Sequence, residues 1–451
     1  MTETTVALHE LTATAARAAM HAGRLSPVAL VEALLERIAA REPQVQAWVR
    51  VDAEGARAAA RAAEAAWRAG TAGPLTGLPV GIKDIYLTAG MPTSATFAPL
   101  RDYDPGYDAT AVARLRAAGA IVLGKTETTQ FALLDPTRTR NPWNLERTPG
   151  GSSSGSAAAV ADRMVPVALG SQTVGSVLRP AAYCGVFGFK PSYGRISRYG
   201  ILPLAYTLDH PGILARSVAD VALIYALIAG PDPRDPTTLR RGRPSAAVAL
   251  DGPSPRIVVL EDIVGIATPD VAAHFGATVE RLAAAGARVR RARLPLPFDT
   301  LRAVLHVILQ VEAAAVHAQL LARHREHYAP KLRGFVEVGT TIPGYAYIHA
   351  QRLRRRIAER VRPLLRSGEL FATPTASNVA PDLSTTGDNS FQGPWSLLGW
   401  PSISLPSGIS AERLPLALQL VGAPFREDTV LQGAQWCAER LGYVEAPAPP
   451  Q

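Results

Sequence analysis

The sequence predicts an α/β protein. Short apolar runs of strand length alternate with longer stretches of helical periodicity, and glycine or proline bounds most of them. With 451 residues and 47% hydrophobic content there is ample chain for a large core, and length alone would suggest two or three domains.

Ser26-Pro27 supplies an N-cap and first helical residue for a helix from Val28 to Ala40, with apolar spacing through Leu30, Leu34, Leu35 and Ile38. A second, alanine-rich helix runs from Ala53 to Ala69 and stops at Gly70. Pro79 to Ile85 reads as a strand, Ala109 to Ala118 as a helix, Ile121 to Gly124 as a strand and Ser156 to Ala161 as a helix. Val165 to Leu169 is a short strand and Ser217 to Ala229 a helix. From Gly230 to Pro255 proline and arginine dominate without periodicity, as in a surface connection. Strands follow at Arg256 to Leu260 and Ala287 to Leu294, around a helix from Pro269 to Ala285. A long helix from Phe298 to His327, a looser segment and a helix from Tyr345 to Leu365 come next. Phe371 to Pro374, Ser402 to Pro406 and Leu416 to Val421 are the last strands, before a helix from Glu427 to Leu441 and a Pro-rich tail expected to be disordered from Ala446.

The formal charge of +9 raises nucleic acid as a partner. The basic residues are scattered arginines and two clusters, Arg240-Arg241-Gly242-Arg243 and Arg352-Leu353-Arg354-Arg355-Arg356, neither interleaved with aromatics. A solvated face is the better account. Met1 to His9 lacks a signal pattern and no run reads as a membrane span. Cys184 and Cys437 form neither a metal motif nor a disulfide framework, which suits the cytoplasm, and a packing role fits Cys184 better than a nucleophilic one. His324 and His327 beside Glu326 fit a solvated helix face rather than a metal site.

The chemistry lies elsewhere. Gly81-Ile82-Lys83-Asp84 is followed by a serine-glycine run, Gly150-Gly151-Ser152-Ser153-Ser154-Gly155-Ser156, and by Gly175-Ser176-Val177-Leu178-Arg179-Pro180. A serine hydroxyl needs a base to become a nucleophile, and a lysine kept neutral can serve where no histidine stands by. Lys83 is one of four lysines in a chain that otherwise uses arginine, which is always charged and cannot take this role. Two readings remain open from the residues alone, a buried base or a surface lysine of a strand. Gly151 to Gly155 also matches the G-x-S-x-G elbow, with Ser153 as nucleophile, but a polar, proline-ended stretch precedes it where an elbow needs a strand.

These motifs resemble the amidase signature hydrolases. The shared stretches are Gly77 to Asp84, Thr137 to Gly155, Ala168 to Arg198, Trp395 to Gly408 and Leu414 to Gly422, in the family's order and spacing. The resemblance implies one α/β domain over residues 1–451 with a large, mixed, twisted sheet and helices on both faces. Residues 1–70 would brace it, 71–230 would form the signature core, and the variable helices of 298–366 would flank a substrate funnel. It also implies a Ser-cisSer-Lys triad in which Ser176 is the nucleophile, Ser152 the bridging serine after a cis peptide bond, and Lys83 the base. Backbone N–H groups of Thr173, Val174, Gly175 and Ser176 would hold the oxyanion, and no cofactor would be needed.

Three departures bear on substrate. Val174 stands where glycine is usual, which puts the loop geometry in question. Gln172 replaces a common aspartate, and Leu178 displaces the usual arginine by one, to Arg179. The resulting pattern resembles the malonamidase-like and general amidase branches, in which that arginine receives a substrate carboxylate; pairing with a carboxylate of the protein itself is the other reading. Gln130, where glutamate is common, and Asp135-Pro136 would shape the acyl pocket. The expected activity is hydrolysis of a small-molecule amide by a homodimer, with neither nucleic acid nor membrane as partner. The alternatives are the glutaminase subunit of a tRNA-dependent amidotransferase and an inactive scaffold.

Overall fold

The architecture is an eleven-stranded mixed sheet with helices on both faces. The computed structural model describes residues 7–238 and 250–447. The cluster Arg240-Arg241-Gly242-Arg243, the first six residues and the last four lie outside the described residues.

In chain order the strands are β1 (Trp48–Val51), β2 (Pro79–Lys83), β3 (Ile121–Thr126), β4 (Val167–Gln172), β5 (Phe187–Lys190), β6 (His210–Ala215), β7 (Arg256–Leu260), β8 (Arg288–Ala292), β9 (Glu369–Pro374), β10 (Ser402–Ile409) and β11 (Pro415–Val421). Their spatial order is β1-β3-β2-β4-β6-β5-β10-β11-β9-β7-β8. At one side β3, β2 and β4 run parallel, with Lys83 opposite Thr126 and Ile82 opposite Leu169. All three are buried along their whole length, the condition that favours continuous apolar runs over alternation. Their carboxyl ends therefore open together on one edge of the sheet, where α/β proteins place their ligands.

Several elements differ from the sequence expectation. The helix expected at Val28 extends from Pro27 to Val45 and ends only at Gln46, whose φ of 53° gives the left-handed stop. The expected long helix stops at Arg323, and the segment read as loose contains a second helix, Pro330–Thr341. Pro330 opens that helix, and the Asp135 carboxylate accepts the N–H groups of Lys331 (3.1 Å) and Leu332 (2.9 Å). Phe298–Arg323 has the length and composition to cross a membrane, which the sequence reading did not register. Half of its most apolar window is buried within the protein, against the helices Pro330–Thr341 and Gly344–Val361.

Candidate active site

Lys83 ends β2 and is fully buried, so the reading of a surface lysine is overturned. Its Nζ lies 2.7 Å from Ser152 Oγ, 3.0 Å from Ser153 Oγ and 2.9 Å from Ser171 Oγ. Burial pushes its pKa well below the ordinary lysine value; the Asp209 carboxylate opposes that shift and the Arg179 guanidinium adds to it. Three hydroxyls around a neutral amine match its one lone pair and two N–H donors.

Ser152 and Ser153 lead into the helix Ser154–Ala161, and the peptide bond between Gly151 and Ser152 is cis. Gly155 has to be glycine: a Cβ there would stand 2.1 Å from Ala47 O and 2.4 Å from Glu127 N. Ser153 is wholly buried, and its hydroxyl donates to Ser171 O (3.2 Å) while accepting from Ser171 N (3.2 Å). It is not among the residues lining the cavity that Ser152 and Ser176 share, and the residues immediately before it form no strand.

Ser176 sits in the turn between β4 and the helix Leu178–Cys184. Its carbonyl accepts from Ser153 N at 3.2 Å, which ties the two serine loops together. The N–H groups of Thr173, Val174, Gly175 and Ser176 donate to none of the described groups. Val174 has no positive φ, so a β-branched residue fits the loop without strain. Gly175 is the crowded position, since a Cβ would meet Gln392 Oε1 at 2.6 Å and Asn389 Cβ at 3.1 Å and the Gln392 side chain would have to move.

Gln172 shows how this chain manages without an aspartate. Its Oε1 accepts the N–H groups of Val177 (2.9 Å) and Leu178 (3.0 Å), and its Nε2 donates to Ser396 Oγ, which donates to Val174 O (2.6 Å). One amide thus caps the helix after Ser176 and braces the loop before it. Gln172→Leu leaves two buried N–H groups unpaired and is expected to destabilise the fold by about 2 kcal/mol, read from the urea midpoint.

Arg179 does not take the protein-carboxylate partner considered from sequence. Its Nε and Nη2 donate to Gly151 O (3.2 and 2.6 Å) and its Nη1 to Gly387 O, with no protein carboxylate within ion-pair distance among the described residues. It fixes the carbonyl just before Ser152. With Thr173, Val174, Ser152 and Ser176 it lines a cavity of about 210 Å³ whose far wall is Leu305, Leu309 and Phe335. Gln130 and Asp135 hold that wall in place: Gln130 bonds His327 O (2.9 Å) and Ala329 N (2.7 Å), and Asp135 caps the next helix. A second cavity, about 240 Å³, meets the first along Ala132, Thr173 and Leu204 and reaches Ser171 on the other side of Lys83.

The remaining candidates are structural. Burial raises the Cys184 thiol, whose Sγ lies 3.5 Å from Pro149 O, and pushes Cys437 up to about 12. His324 and His327 set their rings edge-on to Phe97. Sequence reasoning missed Ser171, which lies within the signature stretch Ala168 to Arg198 but carries no pattern of its own, and Asp209, a lone aspartate outside it; Ser153 was visible in the serine run but was read as a competing nucleophile.

The amidase family model matches residues 29–431. The chain belongs to the amidase family. Among amidase relatives, a glutamyl-tRNA(Gln) amidotransferase subunit of Roseiflexus sp. (strain RS-1) is 40% identical over 94% of this chain and 95% of its own length. Among solved structures, one described as a vestigial protein complex that reveals the origins of an s-triazine catabolic enzyme has a TM-score of 0.91 at 30% identity, covering 97% of this chain and 100% of its own. The native peptide amidase from Stenotrophomonas maltophilia has a TM-score of 0.84 at 29% identity, covering 97% and 98%. As an amidase, the chain is an amide-hydrolysing enzyme.

Proposed function

We propose that this amidase cleaves a small-molecule carboxylic amide through an acyl-enzyme on Ser176, with Ser152 and Lys83 as the proton relay. The observation that carries this reading is the fully buried Lys83 amine 2.7 Å from Ser152 Oγ. Ser176 Oγ attacks the carbonyl carbon, its proton passes to Ser152, and the Ser152 proton passes to Lys83. The N–H groups of Thr173, Val174, Gly175 and Ser176 stabilise the oxyanion, for which they are free. The tetrahedral adduct collapses as Lys83 returns the proton through Ser152 to the departing nitrogen, so ammonia or an amine leaves. Water then attacks the Ser176 ester, giving up its proton to the same relay, and the acid departs as Ser176 recovers its hydroxyl proton. Arg179 holds the Gly151 carbonyl and so orients Ser152, and its two remaining N–H donors place positive charge near the substrate. No step uses a cofactor. We read residues 1–451 as one domain, with 298–366 forming the variable wall, and place the enzyme in the cytoplasm.

A second reading, a glutaminase subunit that passes ammonia to a partner, is favoured by the name of the 40% identical relative. Cavity chemistry favours the first. Free glutamine presents an ammonium beside its carboxylate, and the described cavity residues carry two cations, Arg179 and Lys331, against one carboxylate, Asp388, a balance that suits a substrate with a carboxylate and no ammonium.

A fluorophosphonate probe tests the nucleophile. Peptide mapping is expected to place the label on Ser176 and to find none in Ser176→Ala. Labelling of Ser153 instead would restore the elbow reading, and a protein that neither labels nor releases ammonia from any amide would be the inactive scaffold.

A further inference from the structure

Of the four lysines, three are buried and occupied. Lys83 meets the serines, Lys125 pairs with Asp84, and Lys190 donates to Trp400 O. The fourth, Lys331, is exposed and lines the mouth of the Ser176 cavity. Its Nζ donates to Ser384 O at 3.2 Å and forms no ion pair among the described residues. Its position is one that helix electrostatics disfavours. Lys331 is the second residue of Pro330–Thr341, where the positive end of the macrodipole lies, and packing does not demand a long cation there.

Phe335 follows four residues later, so the two share one face of that helix, and both line the cavity. Leu305 and Leu309, again four apart, line it from the neighbouring helix Phe298–Arg323. The cavity thus runs from Ser176 and Arg179 at its floor, past an apolar wall, to a cation at its mouth. The titratable groups on its surface are Arg179, Lys331, Asp388 and His306; Asp388 accepts the N–H and O–H of Ser390 and its charge acts on Arg179, and burial lowers the His306 pKa.

We propose that Lys331 is a specificity-determining residue that receives the terminal carboxylate of an amide whose aliphatic chain lies along Leu305, Leu309 and Phe335. The substrate class is the ω-carboxylated aliphatic amide. This rests on Ser176 as the nucleophile. Arg179, held by two backbone carbonyls on the floor, serves the region beside the amide, so a carboxylate at Lys331 needs an apolar spacer.

The probes are the monoamide of adipic acid and hexanamide, which differ at the far end. In Lys331→Met the ratio of kcat/KM for the monoamide over hexanamide is expected to fall about tenfold, mainly through KM, as for loss of one charge-assisted contact. Lys331→Arg should restore most of the ratio and Lys331→Glu should depress it further. An equal loss on both amides, or an unmoved ratio, overturns the proposal. A binding arm separates it from the chemistry: Ser176→Ala is titrated calorimetrically with the monoamide, with and without Lys331→Met, and a tenfold weaker Kd is expected in the double variant. If Ser176→Ala still hydrolyses the monoamide, the nucleophile assignment fails while the kinetic ratio still reads Lys331. A wild type that neither binds nor cleaves the monoamide overturns the proposal outright.

Discussion

Lys83→Arg is expected to lower kcat by about 10³-fold, as far as Lys83→Met does, when ammonia release is followed on any amide that the wild type cleaves. Conserving charge should not help, because the charge is what burial removes. Nothing among the described residues forms an ion pair with Lys83, and desolvation is the largest influence on it. Below its depressed pKa the amine holds its proton and cannot accept one from Ser152. Above it the amine is neutral and the relay works. The kcat/KM of the wild type should therefore rise with pH and level off well below the ordinary lysine value of about 10.4. An arginine stays protonated across the whole range and offers no such limb. Substantial activity in Lys83→Arg, or a wild-type profile that still climbs at pH 10, would remove Lys83 as the base.

The resemblance pointed to Lys83 as the base, while the residues alone left a surface lysine open; the apolar flanks Val80, Ile82 and Ile85 only suited its burial. The structure made that a fact of topology, since β2 lies between β3 and β4 and is buried throughout. Ser152 and Ser176 were legible only because their glycine-rich motifs match the amidase signature; the residues alone also offered Ser153. What periodicity could not show was the centre of the sheet. β6 begins His210-Pro211-Gly212, whose proline and glycine argue against a strand, yet Pro211 pairs with Ser171 and Gly212 lies where a Cβ would meet Val177 Cγ2 at 2.7 Å. β5 has four residues and one is glycine, too few for a pattern. The cavity wall was hidden for another reason. Leu305, Leu309 and Phe335 look like any helical core positions, and only the packing of Phe298–Arg323 beside Pro330–Thr341 turns them towards Ser176.

Lys125→Met is expected to show the opposite phenotype, a loss of about 3–5 kcal/mol of stability rather than of chemistry. Lys125 and Asp84 are both fully buried, with Nζ 3.1 Å from Oδ1, and Lys125 also donates to Tyr86 O (2.8 Å) and Thr93 Oγ1 (2.6 Å). The other carboxylate oxygen of Asp84 accepts from Ser94 and Ala95, which anchors the loop after Lys83. Burial lowers the Lys125 pKa, and the Asp84 carboxylate opposes that shift. Removing the lysine leaves a buried carboxylate with one oxygen unpartnered. Lys83→Met carries no such penalty, since Ser152 and Ser171 border cavities where water can replace the amine. The urea midpoint should therefore fall steeply in Lys125→Met and little in Lys83→Met, while ammonia release shows the reverse order. Asp84→Asn with Lys125→Met should recover part of the loss, because the double variant leaves no uncompensated charge. A midpoint that barely moves in Lys125→Met would mean that the pair is not what holds the Asp84 loop, and the anchoring would then fall to the hydrogen bonds from Ser94 and Ala95 alone.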